Sequence, residues 1–138
     1  MKDIYVIDAC ALIAFLKKED GFESMIRFFD RSDDDEISLS MHKLNLLEVY
    51  YGFYRDDGKD QAEAILGDAL SLPIIVIEDL GDPLFLEAGR LKASYDISFA
   101  DSIALALASV TGGLLITADH HDFGTIEHKE AIRFSWIR

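Results

Sequence analysis

The sequence contains one cysteine and no apolar run long enough to cross a membrane. Cys10 has no second cysteine to pair with, so an intramolecular disulfide is excluded, and it supplies no zinc motif. The longest strongly apolar run, residues 103–110, is far shorter than the roughly 20 residues that a membrane-spanning helix needs. The amino terminus carries an early acid, Asp3, and no long signal-peptide core. We therefore expect a cytoplasmic protein with no membrane segment.

Basic residues are also scarce. The chain has 13 lysines and arginines against 26 aspartates and glutamates, which gives a formal net charge of −13. Nucleic-acid binding usually draws on a basic surface that displaces counterions, so the composition argues against non-specific binding to phosphates. Acids gathered around divalent cations would reverse this charge locally once the metal is bound.

The length and the apolar content indicate one packed domain. A chain of 138 residues is in the usual size range of a single domain, and half of its residues are hydrophobic. We expect one domain over residues 1–138, without internal repeats or linkers.

Apolar strand patterns alternate with helical patterns along the chain. This alternation favours an α/β fold with a mainly parallel sheet. The strands are predicted at residues 4–7, 37–40, 74–77, 114–117 and 132–134, and the helices at 11–18, 22–31, 42–55, 59–70, 82–95 and 98–111.

Three of the predicted helices carry local markers. In the helix at 42–55, Leu44, Leu47 and Tyr51 share one face, which we expect to pack inward. Asp82 is a candidate cap for the helix that follows it, with Pro83 at the first helical position. Residues 98–101 have the spacing of a capping box, and Gly112 and Gly113 can close that helix. Most large aromatic residues are expected in the core, among them Phe28, Phe29, Tyr50, Tyr54 and Phe85.

Four acids have positions that permit them to converge. Asp8 directly follows the first strand and Asp119 follows the strand at 114–117, so both are expected at the carboxyl edge of a parallel sheet, where ligand crevices form. Asp101 lies in the first turn of its helix, and Glu48 lies in an apolar helical stretch, where an unpaired carboxylate is costly. Oxygen ligands of this kind suit Mg²⁺ or Mn²⁺, which can activate water for phosphodiester hydrolysis.

Each acid also has a simpler explanation. Asp8 and Asp119 could cap the turns that follow them, Asp101 could be the acidic member of its capping box, and Glu48 could be exposed on the helix edge. Their shared topology, rather than any one position, is what favours a common metal pocket.

Four segments in register resemble the PIN-domain family, and specifically the small VapC-like toxin ribonucleases. The resemblance covers nearly the whole chain. It rests on residues 6–13 (VIDACALI), 45–52 (NLLEVYYG), 97–104 (ISFADSIA) and 115–119 (LITAD).

The resemblance implies a three-layer α/β/α fold with a mainly parallel sheet of about five strands. It implies that Asp8 and Asp101 are the principal ligands of Mg²⁺ or Mn²⁺, that Glu48 completes the metal shell or orients its water, and that Asp119 acts on a second ion. Thr117 is implied to hold a carboxylate or a water, and Asp122 is a weaker candidate for the same pocket. The implied partners are an RNA substrate, a small antitoxin protein and a second copy of the chain, and the aromatic residues include candidates for those protein contacts.

Two positions depart from the family pattern. Cys10 stands where the family commonly has a serine or threonine whose hydroxyl supports the first acid, and a thiol is a weaker donor. As a small apolar residue at a helix start, Cys10 would serve packing alone. His120 and His121 follow Asp119 where relatives often carry a lysine. They invite a transition-metal hypothesis, although surface groups facing substrate or solvent are the more ordinary explanation.

Three functions are therefore carried forward. The leading one is metal-dependent RNA hydrolysis by the toxin of a toxin–antitoxin pair. The second is a PIN-fold module that binds RNA or protein with weak or no catalysis, which Cys10 and the net charge of −13 both favour. The third is an aspartyl-phosphate receiver, which the sequence supports least because it lacks paired acids after the first strand and a lysine after a late strand.

Overall fold

The computed structural model describes residues 2–138. Over that range the chain forms one five-stranded parallel sheet, as the alternating pattern predicts. The strands are β1 (Asp3–Ile7), β2 (Ile37–His42), β3 (Ile75–Ile77), β4 (Leu114–Thr117) and β5 (Arg133–Trp136), and their order across the sheet is β3-β2-β1-β4-β5.

Helices connect the strands and cover both faces of the sheet. They are α1 (Ala9–Leu16), α2 (Phe22–Asp33), α3 (Lys43–Asp57), α4 (Lys59–Leu70), α5 (Leu84–Ser94), α6 (Phe99–Thr111) and the single turn α7 (His120–Phe123). Residues of α1 to α4 share one apolar cluster, and residues of α5 and α6 share a second. The protein therefore has the three-layer α/β/α architecture that the family resemblance implies.

The central strand β1 contributes to both clusters. Val6 and Ile7 are each fully buried, but Val6 belongs to the cluster under α5 and α6, whereas Ile7 belongs to the cluster under α1 to α4. Successive side chains of a strand point to opposite faces, so a strand buried on both sides is apolar at every position rather than at alternate ones. This explains why β1 is apolar from Ile4 to Ile7 and β4 from Leu114 to Ile116.

The register of β1 and β4 fixes where the candidate acids lie. Ile7 is paired with Ile116, so Asp8 and Thr117 follow side by side at the carboxyl edge of the sheet. The chain runs outward from β1 through β2 and β3, and then returns to place β4 on the other side of β1. The strand order therefore reverses between β1 and β4, which is where open α/β sheets commonly form a ligand crevice.

One helix face was predicted wrongly. Leu44, Leu47 and Tyr51 are 39%, 51% and 50% exposed, so they do not form the inward face of α3. The buried residues are instead Asn45, Leu46, Val49 and Phe53. Apolar residues occur all round this helix, so helical spacing alone does not distinguish the face that packs on the sheet from the face that borders the surface pockets.

The predictions for one helix cap and for two aromatic side chains are also wrong. Asp82 does not cap α5, which begins at Leu84 with Pro83 as its N-cap and no side-chain hydrogen bond there. Phe29 is buried as expected, but Tyr54 and Phe85 are 46% and 59% exposed. In residues 2–138, none of the helices combines the length and the apolar character needed to cross a membrane.

Candidate functional site

Asp8 is held at the sheet edge by two hydrogen bonds. Its side chain is 3% exposed and caps α1 by accepting a hydrogen bond of 2.8 Å from the backbone nitrogen of Ala11. The Thr117 hydroxyl at the end of β4 donates to its other carboxylate oxygen over 2.5 Å. The capping role expected of Asp8 is therefore present, and the same carboxylate also lines the pocket described below.

A second group of acids lies where α6 begins and where β4 ends. Asp101 stands in the first turn of α6, whose N-cap, Ser98, accepts a hydrogen bond from the Asp101 backbone nitrogen. Asp119 caps α7 by accepting from the backbone nitrogen of Asp122 over 3.0 Å. One carboxylate oxygen from each of Asp101, Asp119 and Asp122 lies within 4.8 Å of the others. Asp122, the weaker candidate by sequence, is thus a full member of this trio.

These acids border one pocket of about 440 Å³. Glu48 reaches it from α3 and is half-buried, and Cys10 and Tyr51 form part of its wall. Arg55 is the one basic residue among the described residues that line it, and its guanidinium is paired with Asp56 at 3.0 Å. The acids lining the pocket are Asp8, Glu19, Glu48, Asp101, Asp119 and Asp122.

Burial and mutual repulsion make these carboxylates unusually hard to ionise. Burial is the main cause that raises the pKa of Asp8 to about 7, and the charges of Asp101 and Asp119 add to it. Burial likewise raises the pKa of Asp101 to about 7, with contributions from Asp122, Asp119 and Glu48.

The pKa values of Asp119 and Glu48 are also raised, first by burial and then by neighbouring acids. Because ionised carboxylates this close together repel one another, a bound cation would stabilise the ionised form of these acids.

The donor chemistry of the pocket fits a hard divalent cation. The trio supplies only carboxylate oxygens, which are the ligands that Mg²⁺ and Mn²⁺ prefer, whereas nitrogen donors select other transition metals. Neither histidine after Asp119 belongs to this trio. His120 is stacked on Trp136, and His121 Nδ1 lies 3.1 Å from an Asp122 carboxylate oxygen on the exposed side. The trio therefore fits a hard divalent cation rather than a metal bound by imidazole.

Cys10 lies beside the pocket without being needed to hold Asp8. Both carboxylate oxygens of Asp8 already accept hydrogen bonds, one from Ala11 and one from Thr117. Burial, helped by the charges of Asp8 and Asp119, raises the pKa of the Cys10 thiol to about 11, so the thiol is neutral at neutral pH. The missing hydroxyl at this position thus leaves the first acid supported.

One residue that was not predicted from the sequence ties α3, which carries Glu48, to the start of α6. Asn45, one turn before Glu48 on α3, is buried, and its Nδ2 donates over 2.8 Å to the backbone oxygen of Ala100, the residue before Asp101. Asn45 Oδ1 has no hydrogen-bond partner among the described residues. A lone asparagine inside an apolar helical stretch was the available signal, because buried amides are normally hydrogen-bonded.

Comparisons with known proteins agree with this architecture. Residues 5–129 match the family profile described as the PIN domain. No curated protein matches the sequence.

Among solved structures, the chain is similar to the DNA-bound VapBC of Salmonella typhimurium, with a TM-score of 0.78, 17% identity and 100% of both chains covered. It is similar to VapBC2 of Rickettsia felis bound to a promoter DNA fragment, with a TM-score of 0.74 and 16% identity, over 96% of this chain and 98% of that one.

A third similar structure is VapC20 of Mycobacterium tuberculosis, described as a sarcin–ricin loop cleaving toxin. Its TM-score is 0.65 and its identity 16%, and the match covers 88% of this chain and 94% of that one. At 16–17% identity, these three structures show only that the fold is shared. The match to the family profile is separate from them and extends over residues 5–129.

Proposed function

This chain belongs to the PIN-domain family, and we propose that within it the chain is a metal-dependent endoribonuclease that hydrolyses RNA phosphodiester bonds. The observation that carries the proposal is the pocket at the sheet edge, where several carboxylates with raised pKa values face one space. Acidic side chains are held this close together only if a cation offsets the repulsion between their ionised forms or if some of them stay protonated.

The residues of the pocket divide into ligands and supports. We assign cation binding to Asp101, Asp119 and Asp122, whose oxygens are mutually close, and to Asp8, whose carboxylate Thr117 and Ala11 orient. Glu48 contributes a further carboxylate from α3. When bound, Mg²⁺ or Mn²⁺ would lower the pKa of a bound water and stabilise negative charge on the phosphate.

The choice of RNA as substrate is supported by one relative. The Mycobacterium tuberculosis relative is described as cleaving the sarcin–ricin loop. The net charge of −13 argues against non-specific binding to the phosphates of either RNA or DNA. We propose that bound metal supplies most of the attraction for the substrate phosphate and that contacts to bases supply the remainder.

We also propose that a small antitoxin protein controls the activity. Two of the similar structures are described as VapBC bound to DNA, one of them to promoter DNA. A short gene for a DNA-binding protein next to the gene for this chain, and protection of RNA when that protein is added in equimolar amount, are the expected observations. Unchanged cleavage in its presence would contradict the toxin–antitoxin assignment while leaving the nuclease assignment intact.

An apolar groove favours a homodimer. It lies between α5, α6 and the start of α3, has a volume of about 540 Å³, and exposes Phe99 by 78% and Phe85 by 59%. Exposed apolar surface of this kind marks protein contacts. We assign the groove to a second copy of the chain. Sedimentation equilibrium should give twice the chain mass for the wild type and a monomer for Phe99→Glu. A monomeric wild type at micromolar concentration would overturn this assignment.

The nuclease assignment is tested with purified protein and a broad RNA pool in Mg²⁺ or Mn²⁺. Cleavage that disappears with EDTA and in Asp101→Asn is the expected result. Binding of RNA without cleavage in either metal would instead support the alternative of a PIN-fold binding module with weak or no catalysis.

A further inference from the structure

A stack of aromatic rings begins at His120, the residue after Asp119. The imidazole of His120 lies flat on the indole of Trp136, with ring centroids 3.9 Å apart and planes 13° apart. On its strand, Trp136 is in turn parallel to Phe134, with centroids 5.4 Å apart. The stack therefore joins α7, which carries His120, to the edge strand β5.

Hydrogen bonds fix two of the three rings of this stack, His120 and Trp136. His120 Nε2 donates to the backbone oxygen of Arg138 over 2.7 Å, and Trp136 Nε1 donates to a Glu127 carboxylate oxygen over 2.9 Å. Trp136 is half-buried, whereas His120 is exposed. Since one face of the imidazole is covered by the indole and one edge is bonded to Arg138, its free surface is mainly the opposite face.

His120 is close in sequence to two of the proposed metal ligands. His120 directly follows Asp119 and stands two residues before Asp122, and both of these acids line the pocket. A flat, fixed and exposed ring beside a phosphate-binding site has the form of a stacking platform. Proteins commonly hold unpaired bases on aromatic side chains, and a rigid platform loses little conformational entropy when a base binds.

We infer that His120 stacks on an unpaired RNA base adjacent to the phosphate that the pocket binds. This inference rests on the proposed function, because it concerns the same site. A base inside a duplex has both faces covered by its neighbours, so the platform selects single-stranded or looped RNA. The base contact also supplies attraction that the acidic surface of the chain does not.

The first experiment measures binding without cleavage. The protein with its acidic pocket intact is titrated in Ca²⁺, an oxygen-binding cation used in place of Mg²⁺ to slow cleavage, with short single-stranded RNAs that carry the fluorescent base 2-aminopurine at successive positions, since stacking quenches its emission. The wild type is compared with His120→Ala, His120→Phe and His128→Ala under the same conditions. His128 is a matched control because it is also an exposed histidine, and it lies in the turns after α7, outside the ring stack described above.

One 2-aminopurine position should be quenched on binding. His120→Ala should remove the quenching and weaken binding about tenfold, the usual scale for one stacked base. His120→Phe keeps a flat ring, so it should retain the quenching and the affinity for RNA. His128→Ala should retain them as well. Binding by His120→Ala within about twofold of its parent, or quenching at no position, would overturn the inference.

Two further measurements separate the possible failures. Circular dichroism and urea unfolding show whether His120→Ala keeps its fold. In the otherwise wild-type protein, His120→Ala should raise KM for RNA cleavage more than it lowers kcat. Cleavage with an unchanged KM would refute stacking and leave the nuclease assignment standing. Quenching that depends on the base position, without any cleavage by the wild type, would support stacking and refute the nuclease assignment.

Discussion

The Thr117 hydroxyl donates a hydrogen bond of 2.5 Å to Asp8, a residue 109 positions earlier in the chain. The contact joins the ends of β1 and β4 at the point where the strand order reverses. The Thr117 oxygen also accepts a hydrogen bond of 3.0 Å from the backbone nitrogen of Asp119. One hydroxyl therefore connects the first acid of the pocket to the segment that carries the last two.

Replacing Thr117 should harm the site more than changing Cys10. Thr117→Val keeps the shape of the side chain but removes the donor to Asp8, so we expect metal affinity and RNA cleavage to fall about 10- to 100-fold, as for other groups that orient a ligand. Cys10→Ser should change both by much less, since Asp8 already has two donors. Metal titration calorimetry and cleavage rates measure both effects. Equal losses in the two variants would contradict the assigned support of Asp8.

The metal-free protein should lose stability as the pH rises. Burial raises the pKa of Asp8 from 3.8 to about 7, so between these values the folded protein binds more protons than the unfolded chain does. The free energy of unfolding therefore falls as the pH increases from about 4 to about 7, by on the order of 4 kcal/mol from Asp8 alone. Asp101, whose pKa is raised in the same direction, adds to the fall.

Urea unfolding in EDTA at a series of pH values measures this effect. In Asp8→Asn the fall should be smaller, because asparagine does not titrate, and saturating Mn²⁺ should reduce it in the wild type by stabilising the ionised folded state. A free energy of unfolding that rises over the same pH window would show that the acids are not held in a repulsive cluster.

Asp122 should bind metal as strongly as its better-supported neighbours. Its carboxylate belongs to the trio with Asp101 and Asp119, so Asp122→Asn should weaken Mn²⁺ binding to a degree similar to Asp119→Asn. Glu48→Gln should weaken it as well, because this carboxylate lines the same pocket. The exposed Asp34 offers a control, and Asp34→Asn should bind Mn²⁺ as the wild type does. Unchanged affinity in Asp122→Asn would remove that residue from the site.

Asn45 should contribute to both stability and activity. Asn45→Ala removes the hydrogen bond from Nδ2 to the backbone oxygen of Ala100, which should lower the free energy of unfolding by roughly 0.5–1.5 kcal/mol. Because the same contact ties α3 to the start of α6, the relative positions of Glu48 and Asp101 should loosen and cleavage should slow. Urea unfolding and cleavage rates on the same preparation test the two effects. A stable variant with full activity would contradict this role.

The α/β class and the parallel sheet followed from the sequence because apolar runs and helix patterns alternate along the whole chain. The three layers followed from the family resemblance, and the strand order was not predicted. The edge where Asp8 and Asp119 meet followed from their positions after β1 and β4, and the structure places both on one pocket. The sequence did not predict that Asp122 lies with Asp101 and Asp119, since it ranked Asp122 as a weaker candidate. Its place in the trio depends on the single turn α7, whose cap is Asp119 itself, and short capped turns leave little periodicity to detect.

The exposed residues were the least predictable. Leu44 and Phe85 have the composition of core positions, yet they line an open groove, because local hydrophobicity does not say whether a surface is covered by the same chain or left for another. The His120–Trp136 stack was also beyond the sequence, since it joins residues on separate elements whose ring planes only the folded chain defines.

The most direct test of the metal-dependent nuclease is a cleavage assay on purified wild-type, Asp101→Asn and Asp34→Asn proteins, with RNA, Mg²⁺ or Mn²⁺, and EDTA as the metal-free control. The wild type and Asp34→Asn should cut the RNA at equal rates, EDTA should stop both, and Asp101→Asn should be slower by at least about 100-fold while remaining folded. Cleavage that persists in EDTA, or that is unchanged in folded Asp101→Asn, would contradict the account.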